Sequence, residues 1–223
     1  MRTVTRRLFL TFLLLSVSIL PASLAGAAVT RSAQITILHL NDLSGITPIE
    51  KGSKGGLARV ATLRDRVAAE SPHTVFVLAG DFLSPSTMSS LFQGQQMVAA
   101  LNAAGLDLAT FGNHEFDYGE QVTRERMRDS RFTWLSSNVL DPQTGLPFGP
   151  AAAFVLRQFG DIRVAFLGLT APDTRELSKG ARSLTFQDPI RAARAMAARA
   201  KRLRADVIVA LTHLYLADDK KLA

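Results

Sequence analysis

Apolar runs of strand length alternate with helix-period stretches along most of the chain. "AQITILHL" (33–40) predicts a first strand, "GGLARVATLRDRVAAE" (55–70) a helix and "TVFVLAG" (74–80) a second strand. "QMVAALNAAG" (96–105) predicts a helix ended by Gly105, and "LDLATFG" (106–112) a third strand. "EQVTRERMRDS" (120–130) predicts a polar helix, "FTWLSSNV" (132–139) a fourth strand, and "AFVLRQFGDIRVAFLGL" (153–169) a hairpin turning near Gly160-Asp161. "PIRAARAMAARAKRLRAD" (189–206) predicts an alanine-rich helix leading into a last strand, "DVIVALTH" (206–213). Repeats of strand, helix, strand indicate an α/β architecture whose continuous Val, Ile and Leu strands are buried on both faces.

The first residues follow a different pattern. A basic start, an apolar run from Leu8 to Leu20, a breaker at Pro21 and the small residues Ala25, Gly26 and Ala27 form a cleavable export signal over residues 1–27, with cleavage after Ala27 or Ala28. A membrane anchor fits less well. A span needs about 20 apolar residues, whereas this run is interrupted by Thr11, Ser16 and Ser18. Thr5-Arg6-Arg7-Leu8-Phe9-Leu10 matches the twin-arginine export pattern and also suits an ordinary secretory signal. Either route places the mature domain, 28–223, in the periplasm or outside the cell, with the membrane as a partner only during export. The chain holds no cysteine, so disulfides contribute nothing to its fold there.

Of the formal net charge of +7, Arg2, Arg6 and Arg7 belong to the leader. The remaining excess is small and argues against nucleic acid. The densest basic stretch predicts a solvated helix face, with Arg191, Arg194, Lys201 and Arg202 outward and Ile190, Ala193, Ala197 and Leu203 inward. It lacks the interleaved aromatics of a single-strand binder.

Candidate chemistry sits where the strands end. Asp42 follows the first strand, Asp81 the second in "VLAGD", Asn113 and His114 the third in "FGNHE", and His213 the last in "VALTH". Ligands of α/β folds bind at the carboxyl rim of the strands. Each residue taken alone has a structural explanation, since a strand-end Asp commonly caps the next helix and a lone His commonly serves the core. Four such ends together imply a metal site. Carboxylate and amide oxygens suit Mg²⁺ or Mn²⁺, and imidazole suits Zn²⁺. Two ions sharing one carboxylate can drive an in-line displacement at phosphorus, which suggests phosphoester hydrolysis. "KGSKGGLARV" lacks the Gly-Lys-Ser/Thr ending of a P-loop, so Gly55-Gly56 reads as a turn into a helix, with backbone approach to a phosphate as the other reading. The hydroxyls of "GDFLSPSTMSS" read as caps of helices and turns.

"ILHLNDLSG", "LAGDFLSPS", "FGNHEFDYG", "WLSSNV", "VAFLGLTAPDT" and "VALTHL" resemble, in order and spacing, the 5'-nucleotidase family of calcineurin-like metallophosphoesterases, from about Gln34 to Leu214. "GNHE" followed by "FDYG" is the most specific part. The resemblance implies a two-sheet sandwich flanked by helices (α/β/β/α), C-terminally incomplete, two divalent metal ions (Mn, Zn, Mg or similar), and a small-molecule nucleotide as substrate. It implies Asp42 as a ligand of the first metal, Asp81 as the bridge, and Asn113 and His213 as ligands of the second. His114 would face the phosphoryl group as acid or charge stabiliser, oriented by Asp117, for which a plain turn role before Tyr118-Gly119 is the other reading.

Two departures qualify the likeness. The family has Asp-x-His at the first strand, whereas this chain has Asp42-Leu43-Ser44. The family also places a Gly-His-x-His segment beyond the "THL" histidine, followed by a C-terminal domain that holds the nucleoside base. Neither is found before Ala223. His39, expected to point into the core, and His73, in a loop, do not stand in for that segment. The chain is therefore expected to be the front part of an exported dinuclear-metal phosphoesterase. The alternative is a non-catalytic, metal-binding remnant of that family.

Overall fold

A computed structural model describes residues 31–223; the expected export signal lies outside the described residues. A first sheet has the order β1 (Thr36–Leu40), β2 (Thr74–Ala79), β3 (Leu108–Thr110), β4 (Thr133–Leu135), all parallel. Between these strands run α1 (Leu57–Glu70), α2 (Thr87–Phe92), α3 (Gln95–Ala104) and α4 (Glu120–Asp129). A short ribbon pairs β5 (Val139–Leu140) with β8 (Thr185–Phe186). The second sheet places β7 (Ile162–Thr170) between β6 (Phe154–Phe159), antiparallel to it, and β9 (Val207–His213), parallel to it. Further helices are α5 (Thr174–Leu177), α6 (Pro189–Arg202), which connects β8 to β9, and α7 (Leu216–Leu222).

The period-2 alternation of β2 builds the layers. Phe76 and Leu78 face α1 and α3 in a core with Leu57, Val98, Leu101 and Trp134. Val75 and Val77 face the second sheet, where together with Leu108 and Leu135 of their own sheet they meet Val164, Phe166 and Leu211. Each such apolar side chain, fully buried, stabilises by about 1.5–3 kcal/mol. On the far side, Leu169 packs on Ala192 and Ala193 of α6. The order is helix, sheet, sheet, helix, as the resemblance implied. The sheets approach closely at Gly168, where a Cβ would lie 2.5 Å from the Leu135 carbonyl oxygen.

Three expectations need correction. "FTWLSSNV" is not one strand: Ser136 Oγ donates to the Val139 carbonyl at 2.8 Å and accepts its N–H at 3.2 Å, so the chain bends and β4 and β5 join different sheets. His39 does not point into the core. β9 lies over β2 and β3, and β7 over β3 and β4, so the inner face of edge strand β1 is uncovered, with His39 exposed and Ile37 40% exposed. Leu203 is 47% exposed because α6 ends at Arg202 and Leu203 is its C-terminal cap; Ala192 is buried in its place.

Candidate metal centre

All four predicted strand ends open on one rim. Asp42 and Asp81 leave their strands with left-handed backbones, at φ 52° and 60°. Non-glycine residues adopt that region sparingly, Asp and Asn most readily, and such conformations concentrate at functional sites. Asp42 N–H donates to the Gly80 carbonyl at 3.1 Å, tying the first strand end to the second. Register then fixes the fourth: β9 pairs with β7 so that His213 stands opposite Thr170, and Thr170 Oγ1 donates to the Phe111 carbonyl at 2.7 Å, just before the Gly112-Asn113-His114 loop.

The result is a compact donor set. One ligand atom from each of Asp42, Asp81 and His213 lies within 4.8 Å of the others. Asn113 and His213 line one cavity of about 100 Å³, together with Thr174, Leu177 and Tyr215. His213 Nδ1–H donates to the Ala79 carbonyl at 2.8 Å, and Nε2 faces Asp81 Oδ2 at 3.3 Å. With Nδ1–H engaged there, Nε2 is the ring nitrogen that would ligate once it gives up its proton. Burial pulls the His213 imidazole down, but the hydrogen bond and charge of Asp81 outweigh it and raise the group to about 9. Burial likewise pulls Asp81 up, and the hydrogen bonds from His213 and the His114 N–H, with both ring charges, hold it below the usual carboxylate range.

His114 stands at the mouth of the site, in the single turn that joins the β3 loop to α4. Its N–H donates to Asp81 Oδ1 at 2.9 Å, and its ring Nδ1 meets Asp117 Oδ2 at 2.6 Å. Partial burial lowers the ring, and the Asp117 hydrogen bond with the Asp81 and Asp117 charges more than reverses this, so its pKa is raised. Asp117 is held by Ser84 Oγ–H at 2.8 Å and Ser178 Oγ–H at 3.3 Å. Ser44, by contrast, is exposed. His39 lies on β1, and His73 packs edge-on against Phe159 at 5.7 Å between centroids, so among the described residues two histidines reach the rim.

A calcineurin-like phosphoesterase family model matches residues 35–221. The chain belongs to that family. Among its relatives, the 5'-nucleotidase of Bos taurus is 30% identical over 206 residues, covering 86% of this chain and 36% of its own length. Protein UshA of Escherichia coli (strain K12) is 29% identical over 191 residues, with 82% and 34% covered. The crystal structure of the 5'-nucleotidase precursor from Thermus thermophilus superposes with a TM-score of 0.78 at 31% identity, covering 85% of this chain and 39% of that one. The NAD nucleotidase of Haemophilus influenzae, at 24% identity and a TM-score of 0.77, shows the fold alone. The chain thus spans 34–36% of the length of these curated relatives.

Two buried polar side chains and a glycine support the rim from beneath. Glu115, 1% exposed, accepts four main-chain N–H groups beneath Asp81. Burial first, then the Asp81 charge, push its carboxyl up against the pull of those N–H groups. Asn138 is fully buried and bonds both main-chain groups of Thr170, beside His213. Gly112 is required by contact: a Cβ there would overlap the Asp81 carboxylate. The repeated glycines of the strand-end motifs hint at the last of these. The partners of Glu115 and Asn138 are main chain and leave no letter in the sequence.

Proposed function

We propose that this chain is the metal-binding part of an exported 5'-nucleotidase-like phosphoesterase that hydrolyses nucleotide phosphate esters. The observation that carries the reading is the convergence of Asp42, Asp81 and His213 within 4.8 Å, with the His114–Asp117 pair beside them. Export is supported by the leader pattern of residues 1–27 and by relatives that include a protein named as a precursor. The donors fit divalent ions: two carboxylates, an amide and an imidazole suit Mn²⁺, Zn²⁺ or Mg²⁺. Asp42 would hold one ion, Asp81 both, and Asn113 and His213 the other.

When bound, the ions supply positive charge at the phosphoryl oxygens and lower the pKa of the attacking water. The chain's own residues do the rest. Asp117 accepts from His114 Nδ1–H, and its own two serine donors keep it in place; the same carboxylate favours the imidazolium, the form of the ring that also carries a proton on Nε2. As the water oxygen bonds to phosphorus and the P–O ester bond breaks, the leaving oxygen takes the Nε2 proton and departs as the alcohol, while the proton that the water gives up passes to phosphate and solvent, from which His114 is reprotonated. The leaving group of a nucleotide would be the nucleoside hydroxyl.

One observation favours a second reading, a metal-binding form without turnover: Ser44 stands where the family carries an imidazole, and two histidines reach the rim among the described residues. Calorimetry with Mn²⁺ and phosphate release from a nucleotide panel separate the two. Binding with turnover, with His114→Ala lowering kcat by about 10²–10⁴-fold and leaving metal affinity within a few-fold, supports the phosphoesterase. Binding without turnover supports the second reading, and no binding removes both.

A further inference from the structure

Glu115 is the most deeply buried carboxylate at the rim, and the proposed chemistry does not use it. It does not face the donor set. Oε2 accepts the N–H of Asp81 at 2.8 Å and of Gly112 at 2.6 Å; Oε1 accepts the N–H of Phe82 at 2.8 Å and of Leu83 at 3.2 Å. Each oxygen therefore serves two donors, and Oε2 joins the loop after β2 to the loop after β3. Its own main-chain carbonyl is held by Thr123 Oγ–H at 2.7 Å, which anchors the residue to α4.

A buried carboxylate is costly unless its oxygens are satisfied, and four charge-assisted bonds to rigid main chain offset that cost. What the arrangement secures is a conformation the backbone does not favour. Gly80 and Asp81 both have positive φ, at 86° and 60°, and the Asp81 side chain passes so close to Gly112 that no Cβ fits between them. On the other side, the His114 N–H holds Asp81 Oδ1. The Asp81 carboxylate is thus fixed through two main-chain loops, and Glu115 is the group that links them.

Resting on the phosphoesterase reading for its functional meaning, we infer that Glu115 is the positioning residue for Asp81: its carboxylate clamps the β2 and β3 loops in the one arrangement that presents Asp81 to divalent cations. Neutral Gln cannot replace it. An amide nitrogen does not accept, so Glu115→Gln strips either the Asp81 and Gly112 pair or the Phe82 and Leu83 pair of its acceptor, whichever way the amide turns.

The test measures Mn²⁺ affinity by calorimetry for wild type, Glu115→Gln, Asp81→Asn and the double variant, at a temperature far below each unfolding midpoint. Glu115→Gln is expected to weaken Mn²⁺ binding by about 10–100-fold, the range of outer-shell substitutions, and to add little on the Asp81→Asn background, because it acts through that residue. A merely structural role would lower the unfolding midpoint and leave the affinity of the folded protein alone; that result overturns the inference, as does full additivity in the double variant. Should Glu115→Gln fail to fold, amide hydrogen exchange of the wild-type chain decides. The N–H groups of Asp81, Phe82, Leu83 and Gly112 are expected to be among the slowest loop amides, and exchange at the rate of the exposed Ser44 and Gly45 amides refutes the clamp. Absence of Mn²⁺ binding by wild type defeats the phosphoesterase reading, while the exchange measurement still reads the clamp.

Discussion

Truncating Asn138 to alanine should destabilise the protein by about 3 kcal/mol, and the figure follows from bonds that can be named. Asn138 Nδ2–H donates to the Thr170 carbonyl at 2.7 Å and to the Gln187 carbonyl at 3.1 Å, and Oδ1 accepts the Thr170 N–H at 2.9 Å. Asn138 and Thr170 are both buried, so Asn138→Ala leaves the Thr170 N–H and carbonyl without partners; Gln187 is only half-buried and can turn to water. Two orphaned main-chain groups cost about 1–3 kcal/mol each, and a water entering the space left by the amide would recover part of that. The lone tryptophan, Trp134, is buried between Phe82 and Phe111 at centroid distances of 5.1 and 4.9 Å, and gives a fluorescence signal for urea unfolding. A second variant separates bonding from packing. Asn138→Asp keeps the volume and the Oδ1 acceptor but turns the Nδ2 donor into an oxygen facing two carbonyls, so it should be worse than alanine at neutral pH. It should recover below about pH 5, as the introduced carboxyl takes up a proton and can donate. A loss under about 1 kcal/mol for Asn138→Ala with an unchanged denaturant slope would refute the reasoning, and so would a pH-independent Asn138→Asp.

Gly112→Ala places a methyl group against the Asp81 carboxylate, and should weaken Mn²⁺ binding by about 10-fold or more with an overpacking cost of about 1–3 kcal/mol; wild-type calorimetry would show that the loop has room after all. Ser44→His restores the imidazole two residues beyond Asp42 and should tighten one Mn²⁺ site, so unchanged affinity at every site counts against Asp42 as a ligand. Asp206 is held below the usual carboxylate range by the Arg163 N–H and by Arg31. Its folded pKa lies below its unfolded one, so its contribution is present above about pH 4 and is lost as pH falls through the folded value. Asp206→Asn should accordingly lower the unfolding midpoint at pH 6, with an effect that shrinks as the pH is taken down through the acid range below 4, and a pH-independent shift would deny the pairing its role.

How much of this could be read from the letters depends on what each residue bonds to. β2 was legible because Val75, Phe76, Val77 and Leu78 alternate between two apolar layers, and both layers demand apolar side chains. The rim was legible because Asp42, Asp81, Asn113, His114 and His213 interrupt apolar runs at strand ends, where a polar side chain is conspicuous. His39 was misplaced because the same alternation does not say which strand is the edge; that depends on how far the second sheet extends, a property of strand order. Leu203 was misplaced because helical periodicity continues on paper past the point where α6 stops.

Glu115 and Asn138 make the deeper case. Both are polar, both are buried, and both bond almost wholly to main-chain groups distant along the chain. A side chain whose partner is another side chain leaves two letters to compare. One whose partners are N–H and carbonyl groups leaves a single letter, because every residue but proline offers the same groups. The carboxylates that would meet the metal could therefore be guessed from sequence, whereas the residues that hold them at the right angle could not. It follows that substitutions at the second kind of position are the sharper probe of the fold's contribution to the site, since they alter geometry without removing a ligand. Metal affinity that survives Glu115→Gln and Asn138→Ala unchanged would mean that Asp42, Asp81 and His213 find one another without that scaffold.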